Sequence, residues 1–156
     1  MVGNLLPEVF RELIECLNAS NVRYLLIGGW AFSIYAEPRL TKDIDFLVAM
    51  DDENLKKLHK AIVLFGGPPV NMEGFKTNYD IITFGSPPMR VDFLKGASGI
   101  DISDCYERKE VLNVEGLKIH VISKADLIKN KRASGRPRDI ADVIELEKIK
   151  TKFDEK

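Results

Sequence analysis

Two aspartates one residue apart, Asp43 and Asp45, open the stretch DIDFLV, and a third, Asp92, sits inside MRVDFL. Side chains alternate along a strand, so Asp43, Asp45 and Leu47 share one face while Ile44, Phe46 and Val48 form the opposite, core-facing side. Carboxylates at i and i+2 repel, and apolar strand neighbours offer no charge to compensate them. A hard divalent cation such as Mg²⁺ does, because it prefers oxygen ligands and takes one or two carboxylates together with substrate phosphates. Asp92 repeats the pattern, flanked by Val91 and Phe93. Aspartate is depleted in strands, and such local rule-breaking concentrates at functional sites. The plain alternative for Asp92 is an edge strand, with the carboxylate in water or paired with Lys95.

Upstream, the apolar run RYLLI stops at Gly28-Gly29. A strand that ends in glycines and turns into a helix lets backbone N–H groups approach an anion, and the helix dipole adds to the attraction. Phosphate is the expected guest. Neither a G-x-x-x-x-G-K-[ST] loop nor a G-x-G-x-x-G fingerprint is present, which sets aside P-loop and Rossmann nucleotide sites.

The elements that must position these residues are readable from periodicity. Pro7 suits the start of a helix, and Val9, Phe10, Leu13, Ile14 and Leu17 recur at helical spacing through Asn18. RYLLIG reads as a buried strand, residues 30–36 as a short helix and DIDFLV as the second strand. Asp51 or Asp52 caps a helix whose Leu55, Leu58, Ile62 and Phe65 form one stripe, ended by Gly66-Gly67. DIITF and MRVDFL flank Gly85 to Pro88 as an antiparallel pair, and EVLNV and LKIHVI bracket Glu115-Gly116 as another. Ser123, with Asp126 three residues on, caps a further helix, and Gly135 and Pro137 separate it from a last one reaching about Lys150. The fold class is α/β (α+β), a mixed sheet with flanking helices and a C-terminal helical pair. The expected domain spans residues 1–150, with a frayed tail over 151–156.

At 156 residues, 45% hydrophobic and 30% charged, the chain has the composition of one globular domain. No apolar run approaches the roughly 20 residues that span a bilayer. MVGNLLPEVF has no basic flank followed by a long apolar stretch, and Cys16 and Cys105 show neither zinc-site nor disulfide spacing, so a cytoplasmic protein is expected. Net charge is −1. One basic block stands out, SKADLIKNKRASGRPR from Ser123 to Arg138, as a surface for phosphates or simply a solvated face.

The stretch LIGGWAFSIYAEPRLTKDIDFLV resembles the nucleotidyltransferase superfamily of DNA polymerase β, whose pattern is a Gly-Gly or Gly-Ser turn, a D-x-D strand and a third acidic residue on a later strand. It is most similar to the small prokaryotic branch of minimal, antibiotic and abortive-infection (toxin-antitoxin-like) nucleotidyltransferases, in which Pro38, Arg39, Thr41, Asp43, Ile44 and Asp45 match a recurring form. DLIKNKRASGRPRDIADVIEL resembles that branch's C-terminal motif, a lysine-bearing helix followed by R-P-[KR]-D-x-x-D. One departure is Gly29, where many members carry serine.

The resemblance implies the nucleotidyltransferase fold and a metal-dependent transfer of NMP from an NTP to an acceptor hydroxyl, with release of pyrophosphate. Asp43, Asp45 and Asp92 would be the catalytic, metal-holding residues for two Mg²⁺ ions. Gly28, Gly29, Arg39 and Lys131 would bind nucleotide, with Glu37 as the plain partner for Arg39. Asp139 and Asp142 share a helix face near the site, as supporting residues or a base, although Asp139 equally suits a first helical turn. His59 and His120 lack partners at ligand spacing. The acceptor is open between a small molecule, tRNA and a protein, and a separately encoded partner protein fits the branch. A metal-dependent nuclease, or a non-catalytic nucleotide-binding or protein-interaction domain, are the alternative readings.

Overall fold

Local chemistry sets most of the element boundaries in the computed structural model, which describes residues 6–149. Helix α1 (Glu8–Ala19) starts after Pro7 and buries Phe10, Leu13, Ile14 and Leu17. Asp51 accepts from the Asn54 N–H at the head of α3 (Asp52–Phe65), and Gly66, at φ 86°, closes that helix in the left-handed conformation. Ser123 accepts from the Asp126 N–H to start α6 (Lys124–Ser134), and Gly135 ends it before Pro137 opens α7 (Pro137–Lys148). Two short helices escape the periodicity argument: α4 (Met72–Thr77), capped by Asn71, and α5 (Ile102–Glu107), capped by Asp101. Helix α2 (Gly28–Tyr35) begins at the first glycine, two residues earlier than the sequence suggests. The expected frayed tail, 151–156, lies outside the described residues.

Six strands form one mixed sheet in the order β3-β4-β2-β1-β6-β5. They are β1 (Tyr24–Ile27), β2 (Asp43–Val48), β3 (Ile81–Phe84), β4 (Arg90–Leu94), β5 (Glu110–Val114) and β6 (Leu117–Val121). The pairs β3/β4 and β5/β6 are the antiparallel hairpins foreseen above. The central β2 runs antiparallel to β1 and parallel to β4, which places Asp45 opposite both Ile27 and Asp92.

This interior position of β4 corrects the edge-strand alternative for Asp92. Lys95 is not its partner either, since that ammonium lies 3.6 Å from Asp80 and donates to the Phe75 carbonyl. On the core side of β2, Phe46 stacks on Phe93, which meets Phe84, which in turn meets Phe65 of α3. Phe46 and Phe93 are fully buried, and each stabilises the fold by about 1.5–3 kcal/mol. Leu47, on the aspartate side, is fully buried too, with Leu25 and Leu94 as its neighbours in register. The carboxylate face is therefore covered at one end and open only where Asp43 and Asp45 stand. Helices α6 and α7 pack on each other and on α2 beside that opening. No helix among the described residues is long and apolar enough to cross a membrane.

Candidate active site

Gly28 makes the turn on which the site depends. Its φ of 69° reverses the chain from β1 directly into α2, and a Cβ there would stand 2.3 Å from Asp45 Oδ2. Only glycine satisfies both the left-handed backbone and this close approach. Gly29 has no such backbone demand, but a Cβ on it would lie 2.7 Å from Thr41 Cγ2. The two glycines thus seat the head of α2, whose first N–H groups have no partners within the helix, against the aspartate strand.

Asp43, Asp45 and Asp92 converge as the sequence suggests. One carboxylate oxygen from each lies within 4.8 Å of the others, and this is the only group of potential metal ligands among the described residues. Asp92 is buried, and its Oδ1 accepts from Thr83 Oγ1 at 2.8 Å and Arg90 Nε at 3.1 Å. Asp45 carries the electrostatic cost of the cluster. Burial, then the charges of Asp43 and Asp92, and a hydrogen bond with Asp92 push its carboxyl up to about 7 against the weaker opposing pull of Arg90. Three carboxylates facing one point with so little positive charge between them have the donor set and the charge deficit that a hard divalent cation satisfies. His59 and His120 stand outside the cluster.

The cations suggested for nucleotide binding are otherwise engaged. Arg39 makes a two-pronged contact with Asp142, both nitrogens at 2.9 Å, and its guanidinium lies 4.0 Å over the Phe32 ring. Its partner is thus Asp142 and not Glu37. Lys131, only 7% exposed, donates to Asp142 at 2.8 Å and lies 3.7 Å from Asp139. Arg136 in turn holds Asp139 at 2.7 Å. Burial alone would raise the Asp142 pKa, but hydrogen bonds from Arg39 and Lys131 outweigh it and hold it below the usual range; Arg136 does the same for Asp139. The D-x-x-D pair therefore ties the segment before β2 to the C-terminal helices.

A cleft of about 500 Å³ runs from the two glycines, Asp43 and Asp45 to the head of α7, with the buried Asp92 behind it. Two of its cations, Lys42 and Arg138, have no ion pair or hydrogen-bonding side-chain partner among the described residues. Sequence reasoning passed over Lys42 and placed Arg138 only in the basic block, not in the nucleotide site. Their signal was position, Lys42 directly before the aspartate strand and Arg138 inside G-R-P-R-D, but a lone cation in a motif does not announce whether a carboxylate elsewhere will claim it. The basic block also disperses: Arg132 pairs with Glu147 at 2.7 Å, Lys131 is buried and Lys124 donates to the Ile149 carbonyl.

A family described as "Nucleotidyltransferase of unknown function" matches residues 4–154. No curated protein matches the chain. Among solved structures, the crystal structure of an antigenic nucleotidyltransferase-like protein from Paracoccidioides brasiliensis is similar in fold, with a TM-score of 0.54 and 16% identity over 93% of this chain and 74% of that one.

Proposed function

The chain belongs to this nucleotidyltransferase family of unknown function, and we propose that it moves a nucleoside monophosphate from an NTP to an acceptor hydroxyl. The observation that carries the proposal is the convergence of Asp43, Asp45 and Asp92 within 4.8 Å beside the Gly28 turn. Asp43 and Asp45 would hold two Mg²⁺ ions, with Asp92 shared. Bound there, the metal supplies Lewis-acid polarisation of the α-phosphate and charge for the attacking and leaving oxygens.

The chain's own residues do the rest. The Gly28 and Gly29 backbone at the head of α2 receives phosphate oxygens, and Lys42 and Arg138, the cleft cations without carboxylate partners, take the β- and γ-phosphates. The acceptor oxygen bonds to the α-phosphorus, the bridging P–O bond to the β-phosphate breaks and pyrophosphate leaves. Asp92 takes the hydroxyl proton. Arg39 and Lys131, locked to Asp142, fix the shape of the cleft, so positioning and electrostatics account for most of the acceleration.

Incubation of the protein with each α-labelled NTP, Mg²⁺ and a cell extract tests this reading. Label on an acceptor with matching pyrophosphate release, both lost in Asp43→Asn, is the expected result. A melting shift with Mg²⁺ and nucleotide but no pyrophosphate would leave a binding domain in its place, and metal-dependent cleavage of nucleic acid would leave a nuclease.

A further inference from the structure

Beside the triad cleft lies a second cleft of about 450 Å³, walled by Pro7, Trp30, Pro38, Leu40, Pro88 and Met89. The two adjoin, because Arg39, Leu40 and Thr41 line both. We infer that this apolar cleft seats the acceptor, and that the acceptor is a small molecule with an apolar ring or chain bearing the reacting hydroxyl. The inference deepens the transfer reading above and rests on it.

Register sets the location. Arg90 pairs with Asp43 across the parallel β2/β4 contact, so Pro88 and Met89, just before Arg90, stand off the same end of the sheet as the first aspartate. A molecule held against them presents a hydroxyl to the triad from the side away from Arg138 and the head of α7. There its oxygen forms the new bond to the α-phosphorus, pyrophosphate leaves and the proton passes to Asp92.

Three observations bear on its chemistry. Leu40 is 100% exposed and Met89 41%, an apolar surface next to a charged site that has no role in the fold. Second, five buried side-chain polar atoms lack a hydrogen-bond partner among the described residues, and three of them, Trp30 Nε1, Arg39 Nε and Thr41 Oγ1, belong to residues lining this cleft. Trp30 itself is only 7% exposed. Buried donors of this kind are normally satisfied; closed off from solvent here, they meet a guest's oxygen acceptors when the cleft lining shifts to admit it. Third, size and charge disfavour a polymer. The volume falls within the range of about 300–1,000 Å³ of small-molecule sites, and the cleft's one cation, Arg39, has both terminal nitrogens on Asp142. A nucleic-acid strand would find almost nothing here to neutralise its phosphates.

Trp30 is the chain's only tryptophan, so its fluorescence reads the cleft directly and without catalysis. Phenethyl alcohol and cyclohexanemethanol are titrated against the wild type and Met89→Asp, with and without Mg²⁺ and an α,β-methylene NTP. A saturable change with at least one alcohol is expected, weakened tenfold or more in Met89→Asp and retained when the analogue is bound. No saturable change with either alcohol, an unweakened response in Met89→Asp, or mutual exclusion of alcohol and analogue would overturn the assignment. So would free nucleosides that displace the alcohol, which would make this the base pocket instead. Binding of the analogue, followed separately by calorimetry, tells failure of this inference from failure of the transfer reading. Loss of analogue binding with an intact Trp30 response leaves a small-molecule cleft beside a site that does not bind NTP.

Discussion

Gly28 stands so close to Asp45 that a single added methyl group would lie 2.3 Å from the carboxylate oxygen. The turn and the triad are therefore one structural unit. Gly28→Ala must adopt a left-handed backbone, at a cost of about 1–2 kcal/mol, and must also rotate Asp45 out of the cluster. We expect a lowered melting temperature together with loss of any Mg²⁺-induced stabilisation. Retention of the Mg²⁺ shift in a folded Gly28→Ala protein would separate the turn from the metal ligands.

Gly29 answers to a different constraint. Its backbone is ordinary, and the obstacle is Thr41 Cγ2, 2.7 Å from the point a Cβ would occupy. Gly29→Ser needs Thr41 to shift, whereas Gly29→Val needs a larger shift and also blocks the approach of an anion to the backbone. NTP affinity should fall modestly in the first and at least tenfold in the second. Equal affinities in a titration with Mg·ATP and Mg·CTP would remove phosphate from the account of this turn.

Asp45 makes the metal-free protein sensitive to pH. Its folded pKa, about 7, lies above the ordinary 3.8, so between these values the folded state binds the proton that the unfolded state has released. Stability from this group is present in full below the ordinary pKa and is lost as pH rises through the folded one. In EDTA the melting temperature should fall from about pH 5 to about pH 8. Asp45→Asn should flatten this dependence, raise the melting temperature at the upper end and abolish transfer. A pH profile unchanged by the substitution would show that the carboxylate is not held in this environment.

Strand β2 and its two half-buried carboxylates were legible because alternation is a local signal, and the caps at Asp51, Ser123 and Gly135 because each is a matter of a few adjacent residues. Helices α4 and α5 were not, since six residues hold too little periodicity to register. The pairing of Arg39 with Asp142 spans 103 residues and is fixed only when α7 packs against α2. Family likeness had drawn Arg39 and Lys131 toward the nucleotide; both line the cleft, and tertiary contacts pair them with Asp142 there.

That assignment separates two kinds of cation experimentally. Asp142→Ala leaves Arg39 and the buried Lys131 without their main partner, and breaking a buried pair in this way costs about 3–5 kcal/mol. Lys42→Ala and Arg138→Ala remove exposed side chains with no ion pair to break, and stability should change by no more than about 0.5 kcal/mol. Their effect belongs in KM for the NTP, expected to rise tenfold or more. Denaturant melts and steady-state kinetics on the three variants decide the matter. A stable Asp142→Ala, or unchanged KM in both cation variants, would reverse the roles.

The same distribution of charge sets what RNA can do at the basic block. Six Lys or Arg lie between Ser123 and Arg138. Lys131 is buried, Arg132 and Arg136 hold Glu147 and Asp139, and Lys124 donates to a backbone carbonyl. Lys129 and Arg138 are exposed and without ion pairs among the described residues. Each phosphate neutralised contributes a log-log salt slope of about −0.7 to −0.9, so two contacts give about −2 at most, against about −5 for all six. Binding of labelled tRNA, titrated at several salt concentrations, should therefore be weak and shallow in its salt dependence, and little changed in Arg132→Ala and Arg136→Ala. A slope near −5, with loss of binding in those two variants, would mean that the carboxylates of α7 release their partners to RNA, and would favour a nucleic-acid acceptor over the small molecule inferred from the apolar cleft.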